Sequence, residues 1–600
     1  MTTAMRYRTT WALLAGTAAT AVLLAAGWSE RGRAGDEASA LLDPRYVAAN
    51  GGGTLTKGKN ELFKPGLAVL AASPAAAAEP AAFPLLDGLG DLHLTVTTTA
   101  PEAQAYFDQG LRFAFAFNHA AALASFRAAQ AADPTCAMCR WGEAWVLGPN
   151  INAAMDPDAV APAFAAAAQA AQLAEGASEL ERGLIAAMLE RYELGADADR
   201  AALDMAFADA MVEVAAAHRD APTVQALAAE ALMNTQPWDY WQADGVTLKG
   251  RADEIVALLE RALERDPAHP GAAHLYIHAV EASARPERAE PYADRLGDAM
   301  PVAGHLVHMP SHIYYRTGRY IHSLEANRAA VAADERLFAQ IPRGEGIYAY
   351  GYYPHNVHFL LVSAQMAGAE EDALAAADKL GRVMSDDAAA RWGWVQAIKT
   401  APYTAHAQFS RPEVILALED PGERFPYVRA FRHYARAIAR LRQDDTAAAR
   451  DELATLDAIR RGTDFAALEA QFVPAEAVLT IARNVVDARI RAAAGDVDAA
   501  VALLEEAAAL QDGVPYMEPP FWYYPVRRTL GAVLLEAGDH EAAEAAFEAS
   551  LMEAPNSGWA LWGLHEALAR QGDEPGASAV AGLLEKAWIG DPALLEAARL

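Results

Sequence analysis

The sequence predicts an almost all-α body built as a stack of helical hairpins, and three observations carry that prediction. Strong helix formers, Ala, Leu, Glu and Arg, dominate the composition, while runs of Val, Ile and Thr alternating with polar residues are nearly absent. A hairpin-sized segment with small residues at fixed places recurs near both ends of the chain. The 600 residues, 53% of them hydrophobic, suffice for several core-forming units or one long array. The net charge of -30, from 79 acidic against 49 basic side chains, would repel a phosphate backbone and so argues against nucleic acid as a partner.

Residues 1–35 read as a signal peptide or N-terminal anchor. Arg6 and Arg8 precede the apolar run WALLAGTAATAVLLAAG at 11–27, which is slightly short for a comfortable membrane span. Export to the periplasm or the cell exterior follows, with an uncleaved membrane anchor as the alternative. Residues 36–100 are rich in Gly, Ala and Pro (NGGGTLTKGKN, AASPAAAAEPAAFP) and read as a low-complexity linker. The folded body is expected to start near Ala103, with an N-terminal helical region at 101–245, a histidine-rich region at 246–370 and C-terminal repeats at 371–600.

Cys136 and Cys139, in DPTCAMCRWGEAW, are the two cysteines of the chain. A CxxC pair at the first turn of a helix can be a disulfide, inert thiols, a redox pair or half a metal site, and export favours the disulfide. Arg140 stands where a c-type haem motif needs histidine.

In YFDQGLRFAFAFNHAAALASFRAAQAADP (106–134), Gly110, Ala122, Phe126 and Pro134 sit where a helical repeat needs tight packing, a small contact, a core aromatic and a stop. In RRTLGAVLLEAGDHEAAEAAFEASLMEAP (527–555), Gly531, Gly538, Ala543, Phe547 and Pro555 do the same, and less regular copies lie at 427–461 and 482–512. With a period of about 34 residues, this resembles the tetratricopeptide repeat superfamily over most of 103–600. The resemblance implies helical hairpins wound into a right-handed superhelix with insertions, and a concave face that most often binds peptides. The blocks CAMCRWGEAWVLGPNIN, HPGAAHLYIHAVEAS and GHLVHMPSHIYYRTGRY resemble those of a group of exported bacterial tetratricopeptide proteins, a resemblance that brings no activity with it.

Nine of the sixteen histidines fall between His269 and His358. Their register is the sharper signal: His274 and His308 are 34 residues apart, as are His278 and His312, and equivalent positions of adjacent repeats stack side by side. Within each segment the spacing is helical. His274, His278 and Glu281 share one face, His305, His308 and His312 share another, and His355 and His358 follow at i and i+3 after the tyrosine-rich GIYAYGYYP. A turn follows each segment (SARPER, RTGRY, AGAEED), so each reads as the first helix of a repeat, the kind that lines the concave groove. Pro310 lacks an N–H and must kink HMPSH or begin a new helix there.

Neutral imidazoles on neighbouring helices are the usual way to hold a transition metal, and repeat packing needs none. The bland alternative is a set of core imidazoles hydrogen-bonded to Tyr, Glu and backbone carbonyls. Seven rings exceed the three or four that one zinc uses, so one or two ions are expected, with spare rings in supporting roles. Paired ions on helix-borne histidines resemble coupled dicopper chemistry in layout, whereas Glu281 fits zinc or iron better; copper is favoured over zinc or iron. Tyr276, Tyr314, Tyr348, Tyr350, Tyr352 and Tyr353 could wall a substrate groove. His119 and His406 are weaker candidates, and the aromatic clusters PWDYW and PPFWYYP read as fillers of joints between repeats. No phosphate loop, nucleophile elbow or HExxH occurs.

Two functions fit: an exported metal-dependent enzyme acting on a small organic or peptide ligand in the groove, or a periplasmic scaffold for a protein partner with structural or stored metal. A scaffold should offer a broad groove lined by Lys, Arg, Asn and Leu. An enzyme should enclose its pocket, capped by the insertions at 148–160 and 337–354.

Overall fold

The computed structural model describes residues 83–195, 198–344 and 346–600, so the export segment lies outside the described residues. Helix follows helix, and no β-strand occurs among the described residues beyond two isolated bridges. The hairpins leading to the histidine region are α1 (Pro101–Phe115) with α2 (His119–Ala132), α3 (Ala137–Leu147) with α4 (Val160–Leu173), α5 (Glu179–Leu189) with α6 (Arg200–Ala217), and α7 (Pro222–Thr235) with α8 (Ala252–Arg265). Next come α9 (Pro270–Val280) with α10 (Glu290–Ala299), the broken pair α11 (Gly304–His308) and α12 (Pro310–Arg316) with α13 (Tyr320–Phe338), and α14 (Tyr353–Ala367) with α15 (Glu370–Val383). The C-terminal part ends in the hairpins Val526–Ala537/His540–Glu553 and Gly558–Gln571/Glu574–Ala587. This is an all-α, tetratricopeptide-like solenoid of helical hairpins.

One device locks the stack at both ends. The ring of Phe126 lies between α1 and α3: a Cβ added to Gly110 would stand 2.6 Å from it, and one added to Gly142 would stand 2.5 Å away. Phe547 is wedged in the same way between Gly531 and Gly563, at 2.8 and 2.2 Å. Real side-chain carbons do not approach that closely, so each glycine is required by the aromatic that fills its place.

Two large apolar cores meet at α12, where Tyr314 belongs to the first and Tyr315 to the second. The histidine helices therefore sit at the seam. The array also curls back on itself, because Trp559 donates its indole N–H to the Gln365 carbonyl at 2.8 Å and Ile589 N–H donates to Ala367 O at 3.1 Å. These contacts brace the end of α14.

Residues 83–100 correct the linker boundary drawn from composition. Leu89 and Val96 are buried, and the extended backbone is held by side chains of α1: Leu86 N–H donates to Gln109 Oε1 at 2.7 Å and Val96 N–H to Gln104 Oε1 at 2.9 Å. The strap was hidden because its partners are glutamines further along the chain rather than a periodic pattern of its own. Cys136 and Cys139 form a disulfide at the start of α3, both sulfurs inaccessible to solvent.

Candidate metal centre

Helix α9 starts from an unusual cap. His269 Nδ1 accepts the Ala272 N–H at 3.0 Å while its Nε2 lies 3.0 Å from Thr223 Oγ1, so this ring is neutral and structural. One and two turns on, His274 and His278 face the next repeat, and Glu281 closes the helix. Pro310 splits the following first helix, but its histidines divide before the break: on α11, His305 turns to the rings of α9, while His308, with His312 of α12, turns to His355 of α14. Two groups result, His274–His278–His305 and His308–His312–His355, and within each group one ring nitrogen per histidine lies within 4.8 Å of the others.

The groups adjoin. Ring centroids of His278 and His312 are 5.7 Å apart and those of His305 and His308 are 5.9 Å apart. Glu281, wholly buried, spans the gap: its Oε1 accepts from His278 Nδ1 at 2.9 Å and its Oε2 from His312 Nδ1 at 2.6 Å. Burial pushes this carboxyl up, but the neighbouring His312 and the two hydrogen bonds outweigh it and hold the group well below the usual carboxylate range.

Hydrogen bonds on the δ nitrogens fix the tautomers. His274 Nδ1 donates to the Phe115 carbonyl at 2.6 Å, and His308 Nδ1 donates to Asn327 Oδ1 at 2.7 Å, the Asn327 amide being committed to Ser323 O. With His278 and His312 donating to Glu281, four rings carry their lone pair on Nε2. With both rings neutral, His308 Nε2 and His312 Nε2 face each other at 2.8 Å as two acceptors; a proton on His312, drawn by the Glu281 charge, makes the same contact a hydrogen bond. His274 Nε2 and both nitrogens of His305 have no hydrogen-bond partner although buried. Each such orphan costs about 1–3 kcal/mol unless something binds it. Burial, then mutual repulsion among the rings, pushes His274, His305 and His308 well below their ordinary pKa; the same holds for His355, which leaves them in the neutral, metal-binding form.

Aromatic side chains press on the first group. Phe117 lies 4.5 Å from His274 and stacks on His278 and His305 at 6.0 and 5.6 Å, while Trp238 meets His278 edge-on at 4.9 Å. Both have left-handed backbones, with φ of 56° and 64°. Bulky residues adopt this conformation only where the surroundings force it, at about 1–3 kcal/mol each. Phe359 covers the second group, 4.9 Å from His308 and 4.8 Å from His312.

Six of the eight residues singled out in the sequence thus form the two groups. Glu281 orients two rings and belongs to neither. His358 points away, its Nε2 3.1 Å from the Tyr523 hydroxyl, and burial lowers its pKa to about 3. The expected tyrosine wall is largely corrected. Tyr352 lies 4.7 Å from His305 and Tyr348 OH accepts from the His305 N–H at 3.4 Å. In contrast, Tyr276, Tyr314 and Tyr353 give their hydroxyls to Glu260, Asp294 and Glu335, and Tyr350 lies near Arg343, 5.5 Å from its guanidinium. On a helix, positions two from a histidine face the other way. His119 sits 3.4 Å from Asn150 and His406 bonds Ser410, both outside the groups.

Residues 148–160 contribute Asn152, which accepts the Trp238 indole N–H at 3.1 Å, and 337–354 contribute Tyr348 and Tyr352, so both insertions close over the first group. Two parts were missed. Trp238 comes from PWDYW, and the segment 514–525, containing PPFWYYP, brings Tyr516 OH within 3.3 Å of Glu281 Oε2 and onto Glu518. Burial and the Glu281 charge push the Glu518 carboxyl up to about 7. A proline-rich aromatic insertion between two regular repeats was the available signal.

No known family and no curated protein matches the sequence. Among solved structures, the human IFIT1 dimer with PPP-AAAA matches at a TM-score of 0.26 and 11% identity over 81% of this chain and 91% of that one. Naa15/Naa10 bound to HypK-THB matches at 0.21 and 13% over 81% and 70%. The fold assignment rests on this chain's own helix pairs.

Proposed function

We propose that this chain is an exported metalloprotein holding two transition-metal ions side by side, one on His274, His278 and His305, the other on His308, His312 and His355. The observation that carries the reading is the convergence of three buried or half-buried histidines in each of two adjoining groups, with one ring nitrogen per histidine within 4.8 Å of the others. A cation in each group would be met by three such nitrogens. Donor sets made of neutral imidazole suit copper, zinc and iron, and copper forms the strongest complexes of the divalent series. The disulfide at Cys136 and Cys139 supports export, since such bonds persist in oxidising compartments.

Two adjacent copper ions would serve a metal-dependent oxidoreductase. A small organic substrate would lose two electrons and two protons, and dioxygen would accept both and leave as hydrogen peroxide. The protein's part is to aim the imidazoles, and Glu281, Asn327 and the Phe115 carbonyl do so through the δ nitrogens.

Elemental analysis of protein purified without a metal-affinity tag tests the reading. Two equivalents of metal per chain are expected, and His308→Ala should lose the ion of the second group without unfolding distant repeats, because repeats couple mainly to neighbours. If copper, zinc and iron all fail to bind, the metal centre is refuted and a scaffold for a protein partner takes its place.

A further inference from the structure

Residues 514–525, VPYMEPPFWYYP, run between the helices Val497–Gly513 and Val526–Ala537 and separate two cavities. The smaller, about 20 Å³, touches His355 and His358. It is water-sized, because one water needs roughly 10–15 Å³. The larger, about 110 Å³, is walled by Tyr315, Tyr320, Trp522 and Tyr524. Glu518, Phe521 and Tyr523 line both. Of the second histidine group, His355 borders the smaller cavity, and no histidine lines the larger one.

Size and charge limit what the larger cavity can take. An apolar protein cavity of about 150 Å³ holds benzene, so 110 Å³ admits a single ring and excludes a peptide backbone. The charged side chains around it are already engaged. Asp512 pairs with Arg527 at 2.7 Å and Glu553 pairs with the same guanidinium, while Arg316 donates to the Glu281 and Ser283 carbonyls and lies over the Tyr516 ring at 5.1 Å. Glu518 accepts from Tyr516. The Arg316 charge is offset by the nearby Glu518 carboxyl rather than by an ion pair, and the remaining faces on offer are aromatic.

We infer that this cavity is a binding chamber for an uncharged, single-ring aromatic molecule, held apart from the histidine groups by residues 514–525. The inference does not rest on the metal reading, since the chamber is built from other residues. Ala554 lines the chamber and is buried, so a larger side chain there projects into the space.

The test uses the full chain, metal-free and copper-loaded, with phenol as the probe and binding read by calorimetry and by fluorine NMR of 4-fluorophenol. One phenol per chain is expected in both forms, with benzoate and benzylammonium binding at least tenfold more weakly. Ala554→Leu should weaken phenol at least tenfold, and Trp522→Phe, which widens the chamber, should let a methylated phenol bind relatively better. Equal binding by Ala554→Leu and the wild type, equal binding of the charged analogues, or tight binding of N-acetyltyrosine amide would each overturn the chamber. Phenol binding by a protein that takes up no copper, zinc or iron would uphold the chamber and sink the metal centre; metal uptake without phenol binding would do the reverse.

Discussion

The hairpins at 526–587 and the histidine-bearing hairpins at 270–383 follow one plan and fill it with opposite chemistry. In the first, the contact between successive first helices is glycine against phenylalanine, Gly531 and Gly563 on Phe547. In the second, facing first helices meet through imidazoles. Apolar contact of the first kind is complete in itself, and its stability comes from area removed from water. Buried imidazoles with unmet lone pairs are complete only when something binds them, so the second region trades stability for a site. Phe117 and Trp238, with left-handed backbones, both press on the first histidine group, whereas the left-handed non-glycine residue within 526–587 is Asn556, a type that tolerates this conformation.

Acid should separate the two regions most strongly. Burial lowers the pKa of His119 and His269 from 6.5 to about 4 and that of His358 to about 3. These rings are neutral in the fold, whereas the unfolded chain takes up protons below 6.5. Their contribution is therefore fully present above that pH and is lost as pH falls toward 4 and 3, at about 1.4 kcal/mol per pH unit for each ring. Among the residues 526–587, His540 and His565 keep part of their surface in solvent. Hydrogen exchange, corrected for intrinsic rate, should show residues 119–367 of the metal-free protein losing protection between pH 6.5 and 4.5 while 526–587 hold theirs. Parallel loss in both would break the comparison.

A substitution can weaken the opposite region. Phe547→Ala empties the wedge between Gly531 and Gly563 and should cost about 3–5 kcal/mol, the range for deleting a buried aromatic. Its effect should stay local, lowering exchange protection in 526–587 and leaving metal content unchanged. Metal loss in this variant would mean that the two regions fold as one unit.

Much of the fold was legible because Gly110, Phe126, Gly531 and Phe547 carry their packing role in residue type and spacing alone. The 34-residue register of His274 with His308 and of His278 with His312 placed those rings on neighbouring helices. It did not show how the rings divide. The division falls between His305 and His308, three residues apart on α11, while His308 and His312 stay together across the break at Pro310, which only coordinates reveal. Helical spacing could not show that His358 turns to Tyr523, because a ring at i+3 can face either side of a crowded groove. Tyr516 was beyond reach for another reason: it meets Glu281 across 235 residues of chain, with no pattern linking the two. Composition misled at 83–100, where buried Leu89 and Val96 lie in a stretch without period.

Glu281 is where the comparison can be sharpened, at the smallest expected cost. Its two oxygens accept N–H bonds from one ring of each group, His278 at 2.9 Å and His312 at 2.6 Å, so both rings present Nε2 lone pairs. Glu281→Gln keeps the shape but supplies one acceptor and one donor. The amide N–H₂ would meet a ring N–H, donor against donor, and that ring must change tautomer or rotate. Once its proton moves to Nε2 it no longer binds a cation. Metal affinity should therefore fall about 10- to 100-fold, the range for losing an orienting partner, which is roughly 1.4–2.7 kcal/mol. The loss should fall on one of the two ions, giving a titration with one strong and one weakened step, while the exchange protection of 526–587 is unchanged. Equal weakening of both ions would mean that Glu281 acts through its charge on the pair rather than by fixing the tautomer of a single ring.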